Sequence, residues 1–196
     1  MSLVLDPRHT GFAPLDFEQF FGNRNPVVLE IGSGKGRFLV TSATEDPDRN
    51  YLGIEKSLHY HRVIHDRIAR RGITNVRLVN HDAFVVLQKM IGDATLAEVH
   101  IYFPDPWPRP KEQKRRIIRP DALAEMRRAL IPGGLGVFVT DHRAYFEKAA
   151  PLIEQFFPEA ERRIPGPHDP PRTNYEAKYR EEGRAIYEVR FANRKD

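Results

Sequence analysis

A chain of 196 residues with 40% hydrophobic and 30% charged residues has the size of one soluble domain with a full core, and no apolar run reaches the roughly 18 residues of a membrane span. With no cysteine, disulfides, thiolate metal sites and a cysteine nucleophile are excluded, the last including the covalent route by which pyrimidine C5 is alkylated. A net charge of +4 and a pI near 9.4 are too mild to name a partner, and the absence of a basic-then-apolar start makes the cytoplasm the expected setting.

Residues 1–25 are expected to serve as an N-terminal lead-in. The apolar run 27–31 reads as a strand ending at a glycine-rich turn, with a helix predicted over 38–44 and the next strand at 51–54. In 59–71 Val63, Ile64 and Ile68 are apolar and Gly72 is the stop signal of a helix. A third strand at 76–79, a helix at 84–90 and a fourth strand at 96–103 follow. Residues 121–130 read as a helix closed by Pro132-Gly133-Gly134, with a strand at 135–139 and a helix at 145–157 beyond it. The proline-rich stretch 165–171 is a loop, either ordering over substrate or merely connecting. Residues 185–191 alternate as a last strand, with Ile186, Val189 and Phe191 apolar, for which an antiparallel edge hairpin is expected. This alternation is the α/β pattern of crossover units in a parallel sheet, as one domain over 1–196.

Glu30-Ile31-Gly32-Ser33-Gly34-Lys35-Gly36 joins a strand to a helix with glycine at every second position, so the backbone turns sharply and a ligand approaches without meeting a Cβ. The spacing is G-x-G-x-G, neither the G-x-G-x-x-G of dinucleotide sites nor the G-x-x-x-x-G-K-[ST] of a phosphate loop, which disfavours a diphosphate ligand. Glu30, ahead of the first glycine, suits a cationic or polar group. Glu55 closes the second strand, 55 − 36 = 19 residues past the last glycine, where a carboxylate accepts from ribose hydroxyls. Asp82, just after the third strand, is placed to accept from an adenine amino group. Three carboxylates at three successive strand ends, with no phosphate cradle, fit S-adenosylmethionine better than NAD; the plainer reading is a structural turn with surface acids.

Phe103-Pro104-Asp105-Pro106-Trp107-Pro108 sets one carboxylate and one large aromatic among three prolines at a strand end. Asp105 and Trp107 each precede a proline and have little conformational freedom left to lose. Trp107 either plugs the core or stacks on an extruded base, a contact worth about 1–3 kcal/mol. Within 109–119 six residues are basic, Arg109, Lys111, Lys114, Arg115, Arg116 and Arg119, against one acid, Glu112. Beside such a loop this outlines a phosphate-binding surface, which Arg172, Lys178, Arg180 and Arg184 are expected to extend. His61 and His65 are four apart on a predicted helix but lack a third ligand, so no metal site is expected.

Taken in order and spacing, LEIGSGKG, GIEKS, NHDAF, FPDPWP, KRR, TDH and TNYEAKY resemble the bacterial tRNA (guanine-N7)-methyltransferase family, often called TrmB, over residues 27–191. The first three blocks are common to many methyltransferases, whereas the DPWP loop with its basic follow-on and the TNYE segment are specific to that family. The resemblance implies an α/β class I Rossmann-like fold: a mostly parallel seven-stranded sheet with one antiparallel strand and helices on both faces. It implies S-adenosylmethionine as cofactor and tRNA as partner, with the methyl group delivered to N7 of a variable-loop guanosine. By it, Glu30, Glu55, Asp82 and Asp105 fall on cofactor-contacting positions, beside the loop glycines Gly32, Gly34 and Gly36. Asp141, Thr173, Asn174, Tyr175 and Glu176 fall on substrate-contacting positions, and Arg109 stands where the family has a substrate-side lysine. The following basic-basic-His stretch reads Pro110-Lys111-Glu112 here. Positive charge survives at Arg109, but arginine is planar and forked where lysine is compact. The expected assembly is a monomer or homodimer with no membrane or metal partner.

Guanine N7 has an in-plane lone pair and no proton, so its attack on a sulfonium methyl needs no general base and positioning dominates. The alkylated ring gains positive charge that a nearby carboxylate stabilises. Asp105, at the end of the fourth strand, is the catalytic candidate; Asp141 and Glu176 are second candidates for reading the guanine edge, and Tyr175 for stacking. Two other classes stay open. One is a non-catalytic RNA-binding protein on the same fold, hinted at by Arg109, Pro110 and Glu112. The other is an NAD-dependent oxidoreductase, disfavoured by the glycine spacing and by Glu30.

Overall fold

The computed structural model of the chain describes residues 4–166 and 169–194. The stretch expected as a lead-in folds into strand β1 (Val4–Leu5), helix α1 (Pro7–Thr10) and helix α2 (Phe17–Phe21). Asp6 and Asp16 cap the two helices by accepting the first free backbone N–H groups. Strands β2 (Val27–Ile31), β3 (Asn50–Ile54), β4 (Val76–Val79), β5 (Leu96–Tyr102) and β6 (Leu130–Thr140) then alternate with α3 (Arg37–Glu45), α4 (Leu58–Arg70), α5 (Ala83–Met90) and α6 (Pro120–Ala129). A short 3₁₀ helix, Pro110–Arg115, precedes α6. Helix α7 (Arg143–Phe156), β7 (Glu161–Arg163), α8 (Asn174–Glu181) and β8 (Tyr187–Ala192) complete the order.

The sheet runs β1-β4-β3-β2-β5-β6-β8-β7. Strand β2 pairs in parallel with β3 on one side and β5 on the other, Leu29 standing opposite Leu52 and Val99. Every residue of β2 and β3 is buried, as continuous apolar strands covered on both faces must be. Strand alternation divides the core. Val28 packs with Phe38 and Leu39 of α3 and Ile64 and Ile68 of α4, whereas Leu29 packs with Leu87 of α5, Met126 of α6 and Ile153 of α7. Burial of these two faces, at about 25 cal/mol per Å² of apolar area, is what holds the helices to the sheet.

The strand count is eight rather than seven because the two-residue β1 adds in parallel to β4, Val4 opposite Leu78. The expected antiparallel pair stands at the sheet edge as β8 with β7, but α8 intervenes between them in the chain, so they are not a hairpin; β8 also pairs antiparallel with β6 and is the one antiparallel strand among the described residues. The edge beside β8 is β7, whose three residues Glu161, Arg162 and Arg163 carry charge that blunts an open edge. Gly136 of β6 faces Phe191 of β8, and a Cβ at Gly136 would lie 2.0 Å from the ring, so the ring fills the missing side chain's place. Of the loop expected at 165–171, residues 167 and 168 lie outside the described residues.

Candidate active site

In a parallel sheet all strands end at one edge, and here the chain leaves β2 toward β3 and β4 on one side and returns through β5 and β6 on the other. The crevice between these two directions is where open α/β sheets bind ligands. The glycine loop and four of the expected carboxylates sit at this edge because each follows a neighbouring strand: the loop after β2, Glu55 after β3, Asp82 after β4, Asp105 after β5 and Asp141 after β6.

Gly32, Gly34 and Gly36 have φ of 75°, 52° and 71°, the left-handed region that other residues adopt at a cost. A Cβ on Gly32 would enter open space, whereas one on Gly36 would meet Ile64 of α4 at 2.8 Å; the first glycine opens the cleft and the third seats the loop on the helix. Glu55 holds the loop from the side, accepting from the Gly34 N–H at 2.8 Å and the Ser57 N–H at 2.7 Å. Each carboxylate oxygen keeps a further lone pair for a hydroxyl donor. Asp82 caps α5 by accepting from the Phe84 N–H at 3.1 Å and pairs with Lys56 at 3.2 Å.

Glu30 is only 2% exposed, and its Oε2 has no hydrogen-bond partner among the described residues. Burial pushes its carboxyl up to about 8, the Ser33 hydroxyl opposing this and the Glu55 charge adding to it. A carboxylate so placed, in the wall of a cleft of about 190 Å³ that the glycine loop, Phe38, Tyr60, Tyr102 and Tyr175 also line, lacks only a cation. The amino group of S-adenosylmethionine is one, so the residues present fit that cofactor.

On the far side of β2 the DPWP loop is strained. Phe103 and Trp107 have φ of 49° and 40°, each costing on the order of 1–3 kcal/mol and persisting only where surroundings enforce it. Phe103 is tied to β6 by its N–H on the Val139 carbonyl at 2.8 Å, and at Trp107 the enforcing group is Arg116, which is buried: its Nε donates to the Pro106 carbonyl at 2.7 Å and its Nη2 to the Trp107 carbonyl at 3.3 Å, while its guanidinium lies 4.6 Å from the Tyr145 ring. Asp105, between the two strained residues, is exposed, and its charge acts on Tyr175 of α8. Trp107 is half-buried, outside both core clusters, with Arg115 4.9 Å over its ring. The six basic residues of this stretch therefore do two jobs. Arg116 and Arg119 turn inward, the latter to the Phe84 ring at 4.2 Å and Asp121 at 2.8 Å. Arg109, 73% exposed, and Lys111, Lys114 and Arg115 face solvent.

Thr173 caps α8 through the Glu176 N–H at 3.0 Å. Asn174 and Tyr175 follow on the cleft side, Tyr175 lying beside Tyr60 of α4 and 3.9 Å from the position of a Gly34 Cβ. Glu176 turns the other way, fully buried, accepting from Arg172 Nε at 3.1 Å and Arg180 Nη2 at 2.9 Å. Burial alone would push its carboxyl up, but the bonds and charge of Arg172 outweigh burial and hold it low. Arg172 also pairs with the buried Glu188 of β8 at 2.7 Å and lies 5.1 Å from the Tyr102 ring. Asp141 is engaged by Arg184 at 2.9 Å. The expected basic extension through Arg172, Lys178, Arg180 and Arg184 does not form: Lys178 pairs with Glu182 at 3.6 Å, and the three arginines are neutralised by Glu176, Glu188, Asp141 and Glu182. Sequence reading placed Arg116 on the phosphate-binding surface rather than under the loop, and missed Tyr60 and Glu188. The first sits inside a charge run that looks uniform, and the other two reach the site only through the packing of α4 and β8.

A family model described as "Putative methyltransferase" matches residues 24–189. The chain is 37% identical to a tRNA (guanine-N(7)-)-methyltransferase of Actinobacillus pleuropneumoniae serotype 5b (strain L20), over 97% of this chain and 77% of the relative. It is 36% identical to the protein of that name from Aliivibrio fischeri (strain MJ11), over 90% and 76%. Among solved structures the 16S rRNA methyltransferase KamB superposes with a TM-score of 0.68 at 16% identity, covering 91% of this chain and 94% of that one. The antibiotic-resistance methyltransferase Kmr does so at 0.66 and 18%, covering 92% of each; at such identities these two speak for the fold alone. The cleft at the switch point, the glycine loop beside an unpartnered acid and relatives at this identity over nearly the whole chain converge: it belongs to the tRNA (guanine-N(7)-)-methyltransferase family.

Proposed function

We propose that the chain transfers a methyl group from S-adenosylmethionine to N7 of a guanosine in the variable loop of tRNA. The observation that carries the cofactor half is the buried, unpartnered Glu30 oxygen in the wall of the glycine-loop cleft. The guanine-N7 half follows the activity for which the relatives are named. When bound, S-adenosylmethionine supplies an electrophilic methyl on a sulfonium. Glu30 would hold its amino group, the Glu55 carboxylate its ribose hydroxyls, and Asp82 its adenine end. Gly32, Gly34 and Gly36 let it approach the backbone.

The remaining residues of the edge orient the base. The N7 lone pair needs no proton removed, so the protein supplies alignment and charge rather than a base. Asp105 is held on a strained, proline-bracketed loop opposite Tyr175, where its charge stabilises the positive ring that alkylation produces. Thr173, Asn174 and Tyr175 border the cleft mouth, and Glu176 fixes their helix from beneath. Arg109, with Lys111, Lys114 and Arg115, presents cations to phosphates next to the base. Asp141 reads the guanine edge on release from Arg184. No helix of the described residues is long and apolar enough to cross a membrane; a cytoplasmic, single methyltransferase unit acting as monomer or homodimer is part of the proposal.

The test incubates the protein with labelled S-adenosylmethionine and unmodified tRNA, then maps label by chain cleavage at N7-methylguanosine. Label at a variable-loop guanosine is expected, and transfer to no tRNA would overturn the reading.

A further inference from the structure

We propose a second RNA-binding surface, on α4 and the adjoining glycine loop, in which Lys35, Arg37, Arg62, Arg70 and Arg71 grip the tRNA sugar–phosphate backbone away from the methylated base. It rests on the tRNA reading above. The first observation is how the cations are paired. Many arginines elsewhere are matched to acids, as in Arg128 with Asp93, Arg143 with Glu147 and Arg162 with Glu154. Among the described residues none of these five, nor Arg67, has a carboxylate within ion-pair distance.

The second observation is where they lie. Lys35, Arg62, Arg70 and Arg71 are exposed and Arg37 half-buried, while Ile64 and Ile68 of the same helix face the core. Along α4, Arg62 to Arg71 covers roughly 14 Å at 1.5 Å per residue, with Asp66 the one acid between them. Arg67 donates to the Lys35 carbonyl at 2.8 Å, joining this helix to the loop that forms the cofactor cleft. A plainer role exists for Arg70 and Arg71, since cations at a helix carboxyl end offset its dipole. That role does not extend to Arg62 in the second turn, or to Lys35 and Arg37 at the start of α3. Like charges gathered in excess over the single acid Asp66 repel one another and the compact state bears that cost; a polyanion removes it. The surface flanks the cleft on the β3 side of β2, and the Arg109–Arg115 cations flank it on the β5 side. A folded RNA with a base in the cleft would meet both.

The experiment measures tRNA affinity between about 50 and 200 mM salt for the wild type and for the triple variant Arg62→Gln, Arg70→Gln, Arg71→Gln, which spares Arg67. A control variant, Arg127→Gln with Lys148→Gln, removes exposed cations of α6 and α7. Each lost phosphate contact lowers the log–log salt slope by ~0.9, so the triple variant should lose about 2–3 units and its KM for tRNA should rise at least about fivefold. Its kcat at saturating tRNA, S-adenosylmethionine affinity and melting temperature should match wild type. Arg71→Gln alone should lose about one unit, a second measurement should the triple variant fold poorly. Wild-type slope and KM in both variants would overturn the surface while leaving the N7 reading intact, and an equal loss in the control would also overturn it. Should the wild type transfer no methyl group while the triple variant alone loses slope, the surface stands and the N7 reading falls.

Discussion

Two carboxylates at one sheet edge show how environment separates roles that residue type does not. Glu30 is sealed into the cleft wall with an unpartnered oxygen, whereas Asp105 is exposed on a loop tip. Replacing Asp105 with Ala should lower kcat by on the order of 10²–10³, the range for removing one charge-stabilising group, and leave most tRNA binding in place. Rapid-quench transfer assays beside binding titrations check this; near-normal turnover would exclude the role. For Glu30 the folded carboxyl titrates near 8, above its unfolded value, so the folded chain holds an extra proton through the interval between them. Its contribution to stability is therefore fully present below the ordinary carboxylate range, erodes as pH rises, and is gone above about 8. Melting temperatures of the ligand-free protein from pH 5 to 9 should fall more for wild type than for Glu30→Gln, and parallel curves would refute the buried-acid account. The acid-after-strand pattern exposed Glu30, Glu55 and Asp82 to sequence reading. Nothing in residue type revealed that one would be orphaned while another spends its oxygens on the Gly34 and Ser57 N–H groups.

At the scale of elements, prolines announced the DPWP loop as rigid, and the structure names what makes it so. Three prolines remove backbone donors and narrow φ, but the left-handed Trp107 is held by the Arg116 guanidinium on the Pro106 and Trp107 carbonyls, while the left-handed Phe103 is tied to β6 through its N–H on the Val139 carbonyl. Arg116→Met should release the loop and lower kcat by on the order of 10²-fold, the cost of a displacement near 1 Å at the reacting groups. Because Arg116 faces inward, tRNA affinity and its salt slope should be nearly unchanged. Paired kcat and binding measurements separate this from a lost phosphate contact, which would raise KM instead. Elements with strong apolar period were legible within a residue or two, as for α4 and β4. Those that were not share a physical reason. Strand β7 consists of charged residues, β1 is two residues long, and α2 is one short turn-and-a-half whose stability comes from docking its aromatics.

For the whole molecule, a net charge of +4 understates the polarity of its surface, because most arginines beyond β6 are cancelled locally while those of α4, with Lys111, Lys114 and Arg115, are not. Wild-type affinity for tRNA should therefore fall steeply with salt, by at least about tenfold between about 50 and 200 mM; a flat response would remove the electrostatic part of recognition. By itself the sequence determined the α/β alternation, the glycine loop, the carboxylates that follow each strand and the family, since these depend on local period, on backbone freedom at glycine and proline, and on ordered motifs. Only the tertiary structure decided which charges are spent inside the protein. Pairing of Arg172 with Glu188 or Arg184 with Asp141 joins residues 16 and 43 positions apart, and such distances are closed by packing and sheet order, which no local pattern encodes.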